Sequence, residues 1–322
     1  MHILRRAFLG LSLGLFTLGV AAQSYPVKPI KVVVPFPAGG GTDIIAREIT
    51  NHLTTTLGWN FVIENKPGSG GNLGVDAAAK SAPDGYTLAL GQSSNLVINP
   101  TLHTKMPYDS VKDLAPIGVV ASAPLVLVVA ADSPFKTMAD IIQAAKARPG
   151  SLNMASPGNG TVSHLTGELL QRAAGIKFTH VPYKGAAQAV TDLIGGQVQI
   201  YSSTIPTLLA HIKGGKLRAL AVTSSSRDDD LPQVPTVAES GYKGFESSTW
   251  FGFVGPAGIP QPIVTKLNTE INKALQSPEL KQRLTKHGAI VLGGTPEQFA
   301  ALIKTDIVRW APVIKESGAK QD

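Results

Sequence analysis

The sequence predicts an α/β protein of two lobes with a cleft between them. Three observations predict it. Apolar, β-rich runs alternate with helical patterns through most of the chain, as parallel sheets covered by helices require. The alternation restarts beyond residue 131, as a second lobe would. Two stretches, near residues 122–125 and 246–250, can each carry the chain across, which places lobe 1 at 23–123 and 247–322 and lobe 2 at 124–246.

Before the first lobe, Arg5 and Arg6 precede an apolar stretch at residues 7–20, and Val20-Ala21-Ala22 supplies the small residues of a cleavage site. Residues 1–22 therefore read as a cleaved secretory signal, with a mature chain from Gln23. The apolar run is about 15 residues, short of the ~20 that span a bilayer, so an uncleaved anchor is the weaker alternative.

The first strand starts at Ile30 and ends in Pro35-Phe36-Pro37-Ala38-Gly39-Gly40-Gly41-Thr42-Asp43. Three glycines let the backbone approach a ligand, and the following helix presents unpaired N–H groups and a partial positive charge. That helix is expected over 42–57, with Ile44, Ile45, Ile49, His52 and Leu53 near helical spacing. A strand at 61–64, a second glycine loop at 65–71, a helix through 77–79 and a strand at 87–90 follow, the last ending in Gly91-Gln92-Ser93-Ser94-Asn95. Apolar runs at 117–121 and 125–131 flank Ser122-Ala123-Pro124.

In the second lobe, helices are expected at 138–147 and 163–174, and strands at 152–155, 178–181, 198–201 and 217–223. Between the 152–155 strand and its helix lies a third loop, Ser156-Pro157-Gly158-Asn159-Gly160-Thr161-Val162-Ser163-His164, whose hydroxyls at Thr161 and Ser163 can cap the helix or bind a carboxylate. Residues 226–235 are polar and proline-broken, a loop whose acidic triplet Asp228-Asp229-Asp230 reads as a solvated turn before a metal site. A strand at 250–254, helices at 263–276, 278–286 and 296–317, and a short strand at 290–292 complete the chain.

Composition narrows the function. The absence of cysteine excludes disulfides, thiolate chemistry and a lipid anchor, and about 300 residues can bury an ample core without staples. Formal charge is +7; without Arg5 and Arg6 there are 27 basic against 22 acidic residues, or +5, dispersed without an Arg-rich run, so nucleic acid is not an expected partner. The histidines show no pair at metal spacing, and no metal or cofactor is expected. Neither a Gly-Lys-Ser/Thr loop nor a clean Gly-x-Gly-x-x-Gly is present, which disfavours nucleotides. Gly91-Gln92-Ser93 resembles the start of a nucleophile elbow, but Asn95 replaces its final glycine, leaving a periplasmic hydrolase as a remote alternative with no catalytic residue assigned. Loops at strand ends in both lobes instead place a ligand beyond the carboxyl ends of the strands.

The 35–43 loop resembles the opening loop of the Bug family, the periplasmic solute receptors of tripartite tricarboxylate transporters. Glu64-Asn65-Lys66-Pro67-Gly68-Ser69-Gly70-Gly71, Pro83-Asp84-Gly85-Tyr86-Thr87, Val181-Pro182-Tyr183-Lys184-Gly185, Gly214-Gly215-Lys216-Leu217-Arg218-Ala219-Leu220-Ala221-Val222 and Trp250-Phe251-Gly252 resemble its other landmarks, in order, across the mature chain. The resemblance implies a two-lobed periplasmic-binding-protein fold, type II-like, with two crossing strands and a ligand cleft between lobes. It also implies a monomer that captures a small organic acid (a dicarboxylate, tricarboxylate or aromatic carboxylate) and delivers it, without catalysis, to a two-subunit membrane permease. The alternative partner is a membrane signalling kinase.

Carried over by position, the expected ligand-binding residues are Phe36 as a wall, and Ala38, Gly39, Gly40, Gly41, Thr42 and Asp43 in the first loop. Ser93, Ser94 and Asn95 would line the same lobe; Gly160, Thr161, Ser163 and His164 would close from the other, over a floor shaped by Tyr201 and Ser202. Relatives hold the carboxylate through N–H groups, hydroxyls and water, so no arginine is required. Asp43 is expected to serve the loop or cap, since a carboxylate beside an anion repels it. Gln199 stands where many relatives carry an acid, which weakens the case for an amino-acid ligand.

Overall fold

The computed structural model describes residues 25–317, so the signal segment and the mature start expected at Gln23 lie outside the described residues. In chain order the strands are β1 (Ile30–Val34), β2 (Phe61–Asn65), β3 (Thr87–Gln92), β4 (Leu114–Ala130), β5 (Asn153–Ser156), β6 (Thr179–Pro182), β7 (Ile200–Thr204), β8 (Leu217–Val222), β9 (Ser248–Pro256) and β10 (Ile290–Val291). The α-helices are α1 (Gly41–Leu57), α2 (Asn72–Ala79), α3 (Asn99–Leu102), α4 (Met138–Ala147), α5 (Val162–Ala174), α6 (Ala186–Ile194), α7 (Ile205–Lys213), α8 (Gln261–Gln276), α9 (Pro278–Lys286) and α10 (Pro296–Ser317).

In the first lobe β2, β1 and β3 run parallel, and β9 and β4 extend that sheet antiparallel. In the second, β4 is flanked by β7 and β8, and β5 and β6 continue parallel from β7. The 17-residue β4 belongs to both sheets: Pro124 pairs with Ser248 of β9, and Leu125 with Thr204 of β7. The two apolar runs expected at 117–121 and 125–131 are thus one strand, because Ser122-Ala123-Pro124 stays extended through the crossing. The chain returns at Ser247, whose N–H donates to Thr223 O at 2.9 Å.

Both faces of each sheet are buried, which is why the strands read as apolar runs rather than alternating ones. Ile30, Val32 and Val34 pack with Ile45, Ile49 and Leu53 of α1 and Val264, Leu267 and Ile271 of α8, while Val33 faces Val75 of α2 and Trp310 of α10. In the second lobe Leu127 and Val129 meet α4 and α5, whereas Val126 and Val128 meet α6 and α7. Each lobe is therefore a helix–sheet–helix sandwich.

The structure corrects the sequence-based reading elsewhere as well. Helices α3, α6 and α7 were not anticipated: α3 is a single turn, and α6 and α7 fill the connections that follow β6 and β7, α7 with Pro206 in its first turn, a position helices tolerate although proline punctuates the sequence. Strand β3 runs on to Gln92, and residues 94–98 form a π-helical turn, so 91–95 is not a loop. Strand β7 runs on to Thr204, three residues beyond its expected end.

Candidate functional site

Strands β1, β5, β6 and β7 all point their carboxyl ends at the gap between the lobes, and each is followed by a helix that starts there. The gap is a cavity of about 50 Å³. By the measure in which one water occupies ~10–15 Å³, that is room for several small groups. Four helix starts line it: Gly40, Gly41 and Thr42 at α1; Thr161, Val162 and Ser163 at α5; Gly185 and Ala186 at α6; Thr204 and Thr207 at α7. Phe36, Pro37 and Pro157 form walls, and Gln92, Ser94, Leu125, Ser203, Thr249 and Phe251 complete the lining.

None of these lining residues carries a formal charge, yet eight carry hydroxyls: Thr42, Ser94, Thr161, Ser163, Ser203, Thr204, Thr207 and Thr249. Each helix start brings N–H groups without intrahelical partners and a partial positive charge of roughly half a unit. Converging four of them on one cavity makes a field suited to an anion without a cationic side chain. Carboxylate oxygens, which only accept, match this set of donors.

Of the sequence-predicted residues, Phe36, Gly40, Gly41, Thr42, Ser94, Thr161 and Ser163 line the cavity. The others fall behind it. Ala38 and Gly39 form the exposed outer turn of the loop. The Ser93 hydroxyl accepts from Trp250 N at 2.9 Å, tying β3 to the crossing strand, so it is not an exposed nucleophile. Asn95 Oδ1 accepts from Gln92 N at 3.0 Å, and its carbonyl accepts from the Tyr108 hydroxyl at 2.6 Å, which fixes the π-turn. Tyr201 is fully buried in the second-lobe core, and Ser202 offers its carbonyl to the Ser163 hydroxyl. The floor is Ser203 and Thr204 instead, because the carboxyl end of β7 lies further on than the apolar pattern showed.

Gly160 (φ 71°) lies at a lobe–lobe contact: a Cβ there would stand 2.3 Å from Leu102 Cδ2 and 2.6 Å from Asn99 Oδ1. The lobes meet at further points around the cavity. Gly41 N donates to Thr207 Oγ1 at 2.9 Å and Val162 N to Ser94 Oγ at 3.3 Å, while a Cβ on Gly185 would lie 2.6 Å from Pro37 Cγ. The cleft is closed.

Asp43 is 3% exposed and points into its own loop. Its Oδ2 accepts from Gly39 N and Arg47 Nε, both at 2.9 Å, and its Oδ1 from Asn65 Nδ2 at 2.9 Å. Burial opposes the charge, but the Arg47, Gly39 and Asn65 hydrogen bonds outweigh it and hold the carboxyl below the usual range. The glycine turn is thus shaped around a buried carboxylate that does not line the cavity.

Beneath the third loop, His164 stacks on His180 with centroids 4.0 Å apart and planes 6° from parallel. Gly160 N donates to His164 Nδ1 at 3.3 Å, and His180 Nε2 lies 2.7 Å from Ser156 Oγ. Burial, and for His164 also the neighbouring His180, lowers the two pKa values to about 3 and about 4. Both rings are therefore neutral supports, and neither lines the cavity.

Several lining residues were missed. Thr207 and Gly185 open two of the unanticipated helices, and Thr249 and Phe251 alternate with Trp250 on the crossing strand. The run Thr204-Ile205-Pro206, a hydroxyl before a proline at a helix start, was the available signal.

Residues 45–319 match the family model described as tripartite tricarboxylate transporter family receptor. Protein BugT of Bordetella pertussis is 42% identical over 302 residues, covering 94% of this chain and 93% of the relative. Among solved structures, Rpa4515 of R. palustris with adipate is 35% identical at a TM-score of 0.89, covering 92% of this chain and 99% of that one. MatC of Rhodopseudomonas palustris with bound malate is 35% identical at 0.84, covering 90% and 100%.

Proposed function

Because the chain belongs to the tripartite tricarboxylate transporter receptor family, we propose that it captures a small organic carboxylate in the periplasm and delivers it to a two-subunit membrane permease. As a member of a receptor family it binds its ligand without transforming it. The observation that carries the reading is the meeting of four helix starts on a hydroxyl-lined cavity with no charged side chain. Solved relatives hold adipate and malate, acids of this kind. Among the described residues no helix is long and apolar enough to cross a membrane.

The partner would recognise the closed form, since only closure brings the two lobe surfaces together. A thermal-shift panel of dicarboxylates, tricarboxylates and aromatic acids tests the ligand class. An acid at 100 times its Kd should add about 2.7 kcal/mol of stability. A response to neutral sugars or cations alone would sink the carboxylate reading. Pull-down with bound acid then separates a permease from a signalling kinase.

A further inference from the structure

Asn159-Gly160 is the one Asn-Gly pair in the 322-residue sequence. Such a pair is chemically labile: glycine has no Cβ to screen its N–H from the carboxamide before it, and asparagine is among the residues that heat damages first. The pair forms the turn of the third loop, where Thr161 N donates to Gly158 O at 3.4 Å and Gly160 takes φ 71°. Asn159 is half-buried and borders a cavity of about 520 Å³ that both lobes line, far more than a water molecule needs. Among the described residues its carboxamide has no hydrogen-bond partner.

The neighbouring N–H, whose nitrogen could attack that carboxamide, is held back. Gly160 N donates to His164 Nδ1 at 3.3 Å, and the His164 ring is fixed by its stack on His180. The other lobe closes over the same residue, since a Cβ on Gly160 would stand 2.3 Å from Leu102 Cδ2 and 2.6 Å from Asn99 Oδ1. One residue earlier the Asn159 carbonyl meets the glycine loop, 3.1 Å from where a Cβ on Gly70 would stand. Leu102, Asn99 and Gly70 all belong to the first lobe, so parting the lobes frees the turn.

We propose that Asn159 is a self-modifying site, converted to aspartate or isoaspartate when the lobes part and guarded when they meet. Gly160 N gives its proton to water and attacks Asn159 Cγ; the N–Cγ bond forms, the Cγ–Nδ2 bond breaks, and ammonia leaves behind a succinimide ring. Water then opens the ring at either carbonyl, so water is consumed and ammonia released, with no oxidant or cofactor. Opening at one carbonyl gives aspartate; opening at the other gives isoaspartate, in which the main chain runs through the side-chain carbon. Either product places a carboxylate beside the cavity that both lobes line. The consequence rests on the carboxylate reading above: the new charge opposes an anionic ligand, and a receptor left empty ages faster than one kept loaded.

The test is prolonged incubation of the purified chain at mildly alkaline pH, followed by peptide mass mapping and an ammonia assay. Asn159 should be the first asparagine to convert, with ammonia released in step. Asn159→Gln, whose longer side chain cannot close the same ring, should release none in that period. Parallel samples carry malate or adipate, with binding read from the melting temperature. An acid at 100 times its Kd should slow the conversion by up to about a hundredfold, the factor by which it depopulates the unliganded form. An unconverted Asn159, or conversion no faster than at the other asparagines, would overturn the site. An acid that raises the melting temperature but leaves the rate unchanged would overturn the guarding by closure. If neither acid binds, the guarding falls with the receptor reading for these acids, while conversion of Asn159 is decided by its mass alone.

Discussion

Gly41 and Thr207, 166 positions apart, touch across the cleft: the Gly41 N–H donates to Thr207 Oγ1 at 2.9 Å. A Cβ at position 41 would stand 2.6 Å from Thr204 Oγ1 and 3.2 Å from Thr207 Oγ1. The glycine is therefore required by the partner lobe, beyond any need of its own turn. Gly41→Ala should leave each lobe folded and hinder closure, lowering acid affinity by about tenfold, or ~1.4 kcal/mol. Thr204→Ala in the same chain should recover part of it. Unchanged affinity in Gly41→Ala would show that closure does not need this contact.

Thr161 lines the cavity, but its hydroxyl is already engaged. It donates to Gly158 O at 2.7 Å and accepts from His164 N at 3.3 Å, capping α5. Thr161→Val should cost about 1 kcal/mol of stability, the worth of a cap. The melting temperature should fall, with acid affinity changed by less than Gly41→Ala changes it; the reverse order would make the hydroxyl a ligand donor.

Asp43→Asn removes the charge from a buried acceptor of three hydrogen bonds. Hydrogen bonds to charged groups are the strong ones, and the expected loss is about 2 kcal/mol in chemical denaturation. Because the native carboxyl lies below its ordinary pKa of 3.8, its contribution is complete above that value and disappears as pH falls through the depressed one. Equal stability of variant and native chain at neutral pH would contradict this account.

His164 and His180 act at higher pH. Both are neutral in the native chain, with pKa values of about 3 and about 4 against 6.5 for an ordinary imidazole. Between those limits the unfolded chain binds protons that the native chain does not. Stability is thus complete above about pH 6.5 and declines as pH falls toward the native values. His180→Gln should flatten this limb by up to about 1.4 kcal/mol per pH unit, measured by urea denaturation across the range. A limb of unchanged slope would place the titrating groups elsewhere.

The part of the site that was legible in the sequence is the part coded locally. Gly40, Gly41 and Thr42 follow an apolar strand directly, and Thr161 and Ser163 stand at a helix start, so strand-end logic finds them. Ser93 and Asn95 looked equivalent to Ser94, yet only Ser94 lines the cavity; the turn that decides between them is π-helical, a geometry without a simple composition rule. Ser203 and Thr204 were hidden because hydroxyl residues extend β7 beyond its apolar run, its neighbour β4 supplying the pairing. Thr207 was hidden because its partners, Thr204 in its own lobe and Gly41 in the other, come together only in the fold. Fold class needed only periodicity, whereas the floor of the cleft needed knowledge of which strands lie side by side.

The long strand β4 has a consequence for how the molecule folds. Its first half completes one sheet and its second half the other, through a single unbroken backbone of 17 residues. Neither lobe can be cut out with its full complement of strands, because the boundary passes through a strand that both sheets use. Loss of order in one half exposes ladder groups whose partners belong to the other. Heat or denaturant should therefore melt the two lobes as one cooperative unit, since each borrows half of the same strand.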